Sequence, residues 1–196
     1  MLSFGGGQAA PILVAAGAQV VSFDRSDEQL AKYHLVAVRD NLDIHCIQGN
    51  MADLSMFLDR EFDLIFHPAS NRFVPDVVPV WRMRYRVLNV GSRLLAGFMN
   101  PAFFLFDHET ETDELVAKFK LPNQEPENLS SASRAAVQES NRAIECDHML
   151  ESQIGGQLAA GFILRDLYED YWNDEVTPLN RFSPTSIVTW VEKYDF

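Results

Sequence analysis

The sequence predicts a doubly wound α/β fold with a mostly parallel sheet, and three observations lead there. Apolar, β-branched runs alternate with stretches of helical spacing from the first residues to about residue 100. Those runs are nearly continuous in apolar residues, as strands covered on both faces are. Between them fall helix punctuation marks: a capping Ser26, and the stop residues Gly17 and Asn41.

Taken in order, the glycine cluster Gly5 to Gly7 leads into an alanine-rich helix from Gln8 to Ala16 that stops at Gly17. Ala18 to Phe23 reads as a strand ending at the acid Asp24. Ser26, with Gln29 three residues on, forms a capping box for a helix from Asp27 to about Val38, closed by Asn41. Ile44 to Ile47 is a short strand, Asp53 to Leu58 a short turn of helix, and Phe62 to His67 a buried strand turned by Pro68. Val77, Val80, Trp81, Tyr85 and Leu88 give helical spacing over Asp76 to Leu88, and Asn89 to Ser92 reads as a helix-ending turn before a strand from Leu94 to Met99. Residues 101–151 break the pattern, with an acidic stretch, a proline loop and a polar segment. They read as an insertion between the fifth and sixth strands of one domain spanning 1–196, either a lid at the ligand-binding edge or a solvated excursion. A helix ends at Gly161, and Phe162 to Tyr168 with Ser186 to Tyr194 form an antiparallel pair at one edge. The expected sheet is thus of the seven-stranded type, with its first strand cut short at Met1 to Phe4.

Composition narrows the function classes. Sixteen Lys and Arg against 28 Asp and Glu give a net charge of -12, which repels nucleic-acid backbones and anionic membranes. No apolar run reaches the ~18 residues of a membrane span, so a cytoplasmic location is expected. Cys46 and Cys146 have no metal-ligand spacing and read as free thiols, and no metal site is expected.

The residues able to do chemistry gather at strand ends. A glycine turn between strand and helix allows close backbone approach to a ligand and aims helix N–H groups at it, although tight turns also need glycine for their own geometry. Asp24, at the end of the next strand, could accept bonds from two ribose hydroxyls, each worth ~1.5–3 kcal/mol when charge-assisted. The turn Gly49-Asn50-Met51-Ala52-Asp53 supplies a polar edge and a soft apolar face suited to adenine. His67-Pro68-Ala69-Ser70-Asn71 follows the fourth strand.

This order of motifs, with Phe62-Asp63-Leu64-Ile65-Phe66-His67-Pro68 and Arg86-Val87-Leu88-Asn89-Val90-Gly91, resembles class I S-adenosylmethionine-dependent methyltransferases over roughly residues 1 to 100. Gln153-Ile154-Gly155-Gly156-Gln157-Leu158 adds a likeness to a group of small bacterial methyltransferases of unassigned substrate. The resemblance implies cofactor contacts from Gly5, Gly7, Gln8, Asp24, Arg25, Asn50, Met51 and His67. The glycine turn and Gln8 would meet the amino acid portion, Asp24 the ribose, Asn50 and Met51 the adenine, and His67 the methyl. His67 is then the candidate base for a small-molecule acceptor, or a strand-end residue that orders the Pro68 turn; Ser70, Asn71 and Tyr168 are candidate substrate residues. Two positions depart from the family: its acid ahead of the glycine motif falls at Met1, and its usual Asp before the adenine contact is Asn50. The family also implies a helix and a full first strand ahead of Leu2. A chain starting here is expected to be a truncated form with unpartnered apolar edges on its second and fourth strands, weaker cofactor affinity and a tendency to self-associate. Two other readings stand beside this one: a nicotinamide-dependent dehydrogenase, since Gly5, Gly7 and Ala10 also satisfy G-x-G-x-x-A, and a non-catalytic ligand-binding or interaction module.

Overall fold

The computed structural model describes residues 1–4, 9–106, 114–124, 139, 143–172 and 177–195. Seven strands form one sheet: β1 (Leu2–Phe4), β2 (Val20–Asp24), β3 (Ile44–Gln48), β4 (Phe62–His67), β5 (Leu88–Met99), β6 (Phe162–Asp170) and β7 (Ser186–Lys193). Their spatial order is β3-β2-β1-β4-β5-β7-β6. The first five run parallel, and β7 inserts antiparallel between β5 and β6. The strand order reverses at β1, so ligand-binding turns converge above β1 and β4.

Among the described residues the helices are α1 (Ala9–Ala15), α2 (Asp27–Asp40), α3 (Val78–Val87) and a short α4 (Gly156–Ala159), entered through a π-helical turn at Glu151–Gly155. The Ser26 hydroxyl accepts from the Gln29 amide, and Asn41 closes α2 in the left-handed region at φ 51. Both faces of the sheet are covered. Ala10, Val20, Leu30, Tyr33 and Ile44 form a smaller cluster beneath α1 and α2. Phe4, Phe23, Ile65, Trp81 and Leu94 belong to the larger one, which takes in α3. Val20 and Phe23, an odd number of residues apart on β2, serve opposite faces as the pleat requires.

Three expectations need correction. No helical turn forms over Asp53 to Leu58; that stretch is turns, held by the Asp53 carboxylate accepting from the Ser55 amide and by Leu54 O accepting from Phe57 N–H. Asn89 to Ser92 does not end a helix ahead of the strand but lies within β5, which starts at Leu88. Between the pairs Phe62↔Leu88 and Leu64↔Arg93, β4 advances two residues while β5 advances five, and Gly91 at φ 76 absorbs the excess as a bulge. The central strand, although three residues long, also keeps both neighbours: Leu2, Ser3 and Phe4 pair with Val21, Ser22 and Phe23, and Leu2 and Ser3 with Ile65 and Phe66. Over those positions β2 and β4 are not left without a partner. Of the stretch 101–151, the described parts include a 3-10 turn at Pro101–Leu105 and the β-bridges Phe106↔Ala117 and Gln124↔Cys146. No helix among the described residues is long and apolar enough to cross a membrane.

Candidate active site

The carboxyl ends of β2, β3 and β4 bring most of the candidate residues to one edge. Asp24 ends β2, and its Oδ1 accepts from the Ser26 amide at 2.8 Å, which fixes the carboxylate rotamer. Asp24 pairs in register with Gln48, and Asp24 O accepts from the Gly49 amide at 3.0 Å, so the turn after β3 is fastened to the end of β2. Gly49 sits against the Phe23 ring so closely that an added Cβ would lie 2.2 Å from Cζ. In that turn the Asn50 side chain accepts from the Ala52 amide at 3.0 Å, forming an Asx turn, while Met51 is half-buried against the core. Arg25 is exposed, and its carbonyl accepts from the Gln48 amide side chain. Gly5, Gly7 and Gln8 lie outside the described residues.

His67, at the end of β4, is fully buried. Its ring meets Phe4 and Trp81 edge-on at 5.1 and 5.6 Å. Burial, and then the neighbouring Arg84 charge, push it well below the usual histidine range, outweighing its bond to Asn71, so the ring is neutral near pH 7. Arg84 Nη2 lies 3.3 Å from Nδ1, and Asn71 Oδ1 lies 2.6 Å from Nε2. Only one tautomer satisfies both: Nδ1 accepts from the guanidinium, and Nε2–H donates to Asn71. Asn71 Nδ2 then donates to Gln153 Oε1 at 2.8 Å. The result is a directional chain, Arg84 to His67 to Asn71 to Gln153, whose last three members are each at least 97% buried.

Arg84 was not among the sequence-level candidates, and it ties the edge together. Fully buried, it donates to Met51 O, reaches His67, and stacks its guanidinium 3.7 Å from the centroid of the Phe4 ring. It thus joins the end of β1, the turn after β3 and the end of β4. The sequence does carry a signal for it: Val80, Arg84 and Val87 share the apolar face of α3, and a cation there needs an internal partner.

Ser70 is nearly buried, its hydroxyl donating to Pro68 O at 3.0 Å. Tyr168 lies apart from this edge, on the outermost strand β6 opposite Val188 and 54% exposed.

A second set of polar groups adjoins the chain. His148 Nε2 lies 3.1 and 2.9 Å from the carbonyls of Asn71 and Val74, so it carries a hydrogen and donates to them. Beside it Asp147 is 1% exposed; its Oδ2 accepts from the Asn123 amide at 3.4 Å, and Oδ1 has no hydrogen-bond partner among the described residues. Burial raises its carboxyl to about 6, against the lowering effect of the Asn123 and His148 amides. This raised value sets the sign of a pH effect. Between the ordinary value of 3.8 and about 6 the folded chain binds more protons at Asp147 than the unfolded chain, so this group's contribution to stability falls as pH rises through that window. Asp147→Asn is therefore expected to raise the urea midpoint at about pH 8 and to converge with the wild type near about pH 4. His67 acts with the opposite sign: its depressed value contributes stability that is present above the ordinary 6.5 and lost as pH falls below it.

The strand order and the antiparallel seventh strand define the class, that of the S-adenosylmethionine-dependent methyltransferase fold. Residues 1–96 match the family model described as a methyltransferase domain. Over 170 residues the chain is 46% identical to the Bacillus subtilis protein named uncharacterized methyltransferase YbaJ, covering 86% of this chain and 67% of that one. Two crystal structures share the fold. An S-adenosylmethionine dependent methyltransferase from Mesorhizobium loti gives a TM-score of 0.74 at 16% identity, covering 98% of this chain and 89% of that one. SAM-dependent methyltransferases from Methanosarcina mazei give 0.66 at 15%, covering 98% and 91%. The chain belongs to the methyltransferase domain family.

Proposed function

We propose that this chain transfers the methyl group of S-adenosylmethionine to a small-molecule acceptor, at the carboxyl edge of β1, β2, β3 and β4. The observation that carries the reading is the fastening of Asp24 to the Gly49–Met51 turn. A rotamer-locked carboxylate and a turn with a polar edge and a thioether stand side by side, as an adenosine requires. When bound, the cofactor supplies an electrophilic methyl on a sulfonium sulfur. The chain's part is to bind and to align, which by itself lowers the barrier for an in-line displacement.

In this reading Asp24 receives the ribose hydroxyls on its second oxygen. The Asn50 amide keeps its hydrogens and one oxygen lone pair for the adenine edge, Met51 supports the ring, and Arg25 lies at the ribose rim. Gly5, Gly7 and Gln8 take the amino acid end, an assignment that rests on the motif alone. His67, neutral and bonded at both ring nitrogens, braces the edge under the reacting centre, with Ser70 and Asn71 on its acceptor side. The net charge of -12 favours a small acceptor over a nucleic acid.

Calorimetric titration with S-adenosylhomocysteine tests the reading through Asp24→Asn. Two charge-assisted bonds at about 1.5–3 kcal/mol each predict an affinity at least about tenfold weaker, with the melting temperature little changed. Equal affinity in the variant would contradict the assignment.

A further inference from the structure

A cavity opens next to Asn71, between the end of β5 and the segment leading into the π-helical turn. Ala69, Phe98, Phe104, Cys146, Asp147 and Gln153 are among its walls. Its volume is about 10 Å³, room for one water-sized group, which is the size of a single amine nitrogen. Asn71, Arg72 and His148 line it as well, and its acceptor side is formed by Asp147 and Gln153, 1% and 3% exposed. A buried carboxylate oxygen without a partner among the described residues is costly, and calls for a water, an ion or a ligand group to complete it. The segment bearing it is pinned onto the turn after β4: the Cys146 amide donates to Arg72 O at 2.7 Å, and His148 donates to the carbonyls of Asn71 and Val74. Asn71 lines the cavity and also bonds His67, so the cavity and the end of β4 share one rigid wall.

We propose that this cavity receives the nucleophilic nitrogen of an amine acceptor, with Asp147 Oδ1 accepting its N–H. The acceptor role rests on the methyltransferase reading above; the amine site does not. An amine suits the cavity because a buried anionic oxygen attracts an ammonium group, and two carbonyls already consume the His148 donor. In the transfer, one N–H proton of the ammonium passes to Oδ1, and the freed nitrogen lone pair forms the N–C bond. The C–S pair goes to sulfur, leaving a thioether, an N-methylammonium product and a protonated Asp147.

Methylamine, with methanol as its uncharged match in size, is the probe. It is titrated into the wild-type chain and Asp147→Asn, each with and without saturating S-adenosylhomocysteine, and followed through the amide NMR signals of Asn71, His148 and Gln153. Saturable shifts with methylamine and none with methanol are expected in the wild type. Affinity should fall at least about tenfold in the variant, as when one partner of a buried charge pair is truncated. S-adenosylhomocysteine affinity should be equal in the two proteins, which also shows that the variant is folded. A second measurement needs no variant: wild-type methylamine affinity should rise from pH 5 to 7 as Asp147 ionises about 6. Among the described residues the other charged or titratable groups at this cavity are His148, held below the usual histidine range by burial, Arg72, ion-paired with Glu145 at 3.5 Å, and the Cys146 thiol. No methylamine binding, equal binding by the variant, or a flat pH profile would overturn the inference. Methylamine binding without S-adenosylhomocysteine binding would instead remove the methyltransferase reading and leave the amine site.

Discussion

Arg84→Ala is expected to cost about 3–5 kcal/mol of stability, the range for truncating a large buried side chain. The guanidinium fills space over the Phe4 ring, and its loss also strips hydrogen bonds from Met51 O and His67 Nδ1. Arg84→Met separates these contributions. Methionine keeps most of the volume and removes a cation with no salt-bridge partner among the described residues, but it still leaves Met51 O and His67 Nδ1 without their donor, at about 1–3 kcal/mol for a buried acceptor. Its stability is therefore expected to fall, but by less than that of Arg84→Ala. Its affinity for S-adenosylhomocysteine should nonetheless drop, because the turn carrying Asn50 and Met51 is no longer tied to β1 and β4. An Arg84→Met protein that binds as tightly as the wild type would show that Arg84 is only core filling.

Gly49→Ala is the second large effect. The added carbon would stand 2.2 Å from Phe23 Cζ and 2.7 Å from Cε2. Phe23 cannot yield easily: it is 1% exposed and wedged edge-on between Phe4 and Phe57, with ring centroids at 5.8 and 5.6 Å. Overpacking of this kind costs about 1–3 kcal/mol, and relief by moving the turn would carry Asn50 and Met51 away from Asp24. Both the urea midpoint and the S-adenosylhomocysteine affinity should fall. Gly97→Ala is the control, since its new carbon would meet nothing nearer than 3.8 Å. It should leave stability near the wild-type value.

Residues 9 to 48 and 62 to 87 were legible because each element carries its own local signal. Ser26 with Gln29, and Asn41, marked the ends of α2, and the apolar run Phe62 to His67 marked β4 as buried. Where a backbone compromise replaced a local signal, the sequence misled. Gly91 looks like a stop, yet a glycine at positive φ serves a strand bulge as well as a helix end, and only pairing with β4 decides between them. The turns after Asn50 contain residues able to form helix, but side-chain caps from Asn50 and Asp53 hold the backbone elsewhere. At the site, Asp24 and Asn50 could be found because they follow strands. Arg84 left a trace as a cation on an apolar face. Asp147 left none, and Gln153 only its place in the motif Gln153 to Leu158: each acquires its role from contacts across more than twenty residues, with Asn123 and with Asn71. His67 was visible as a residue, but its protonation state depends on Arg84, seventeen residues away, and on complete burial.

The most direct test of the account is calorimetric titration of the wild-type chain with S-adenosylhomocysteine, with reduced nicotinamide dinucleotide as the comparison ligand. Saturable binding of the first at one site per chain, and none of the second, is the expected result. Binding of the nicotinamide dinucleotide alone, or of neither ligand by a chain shown to be folded, would contradict it.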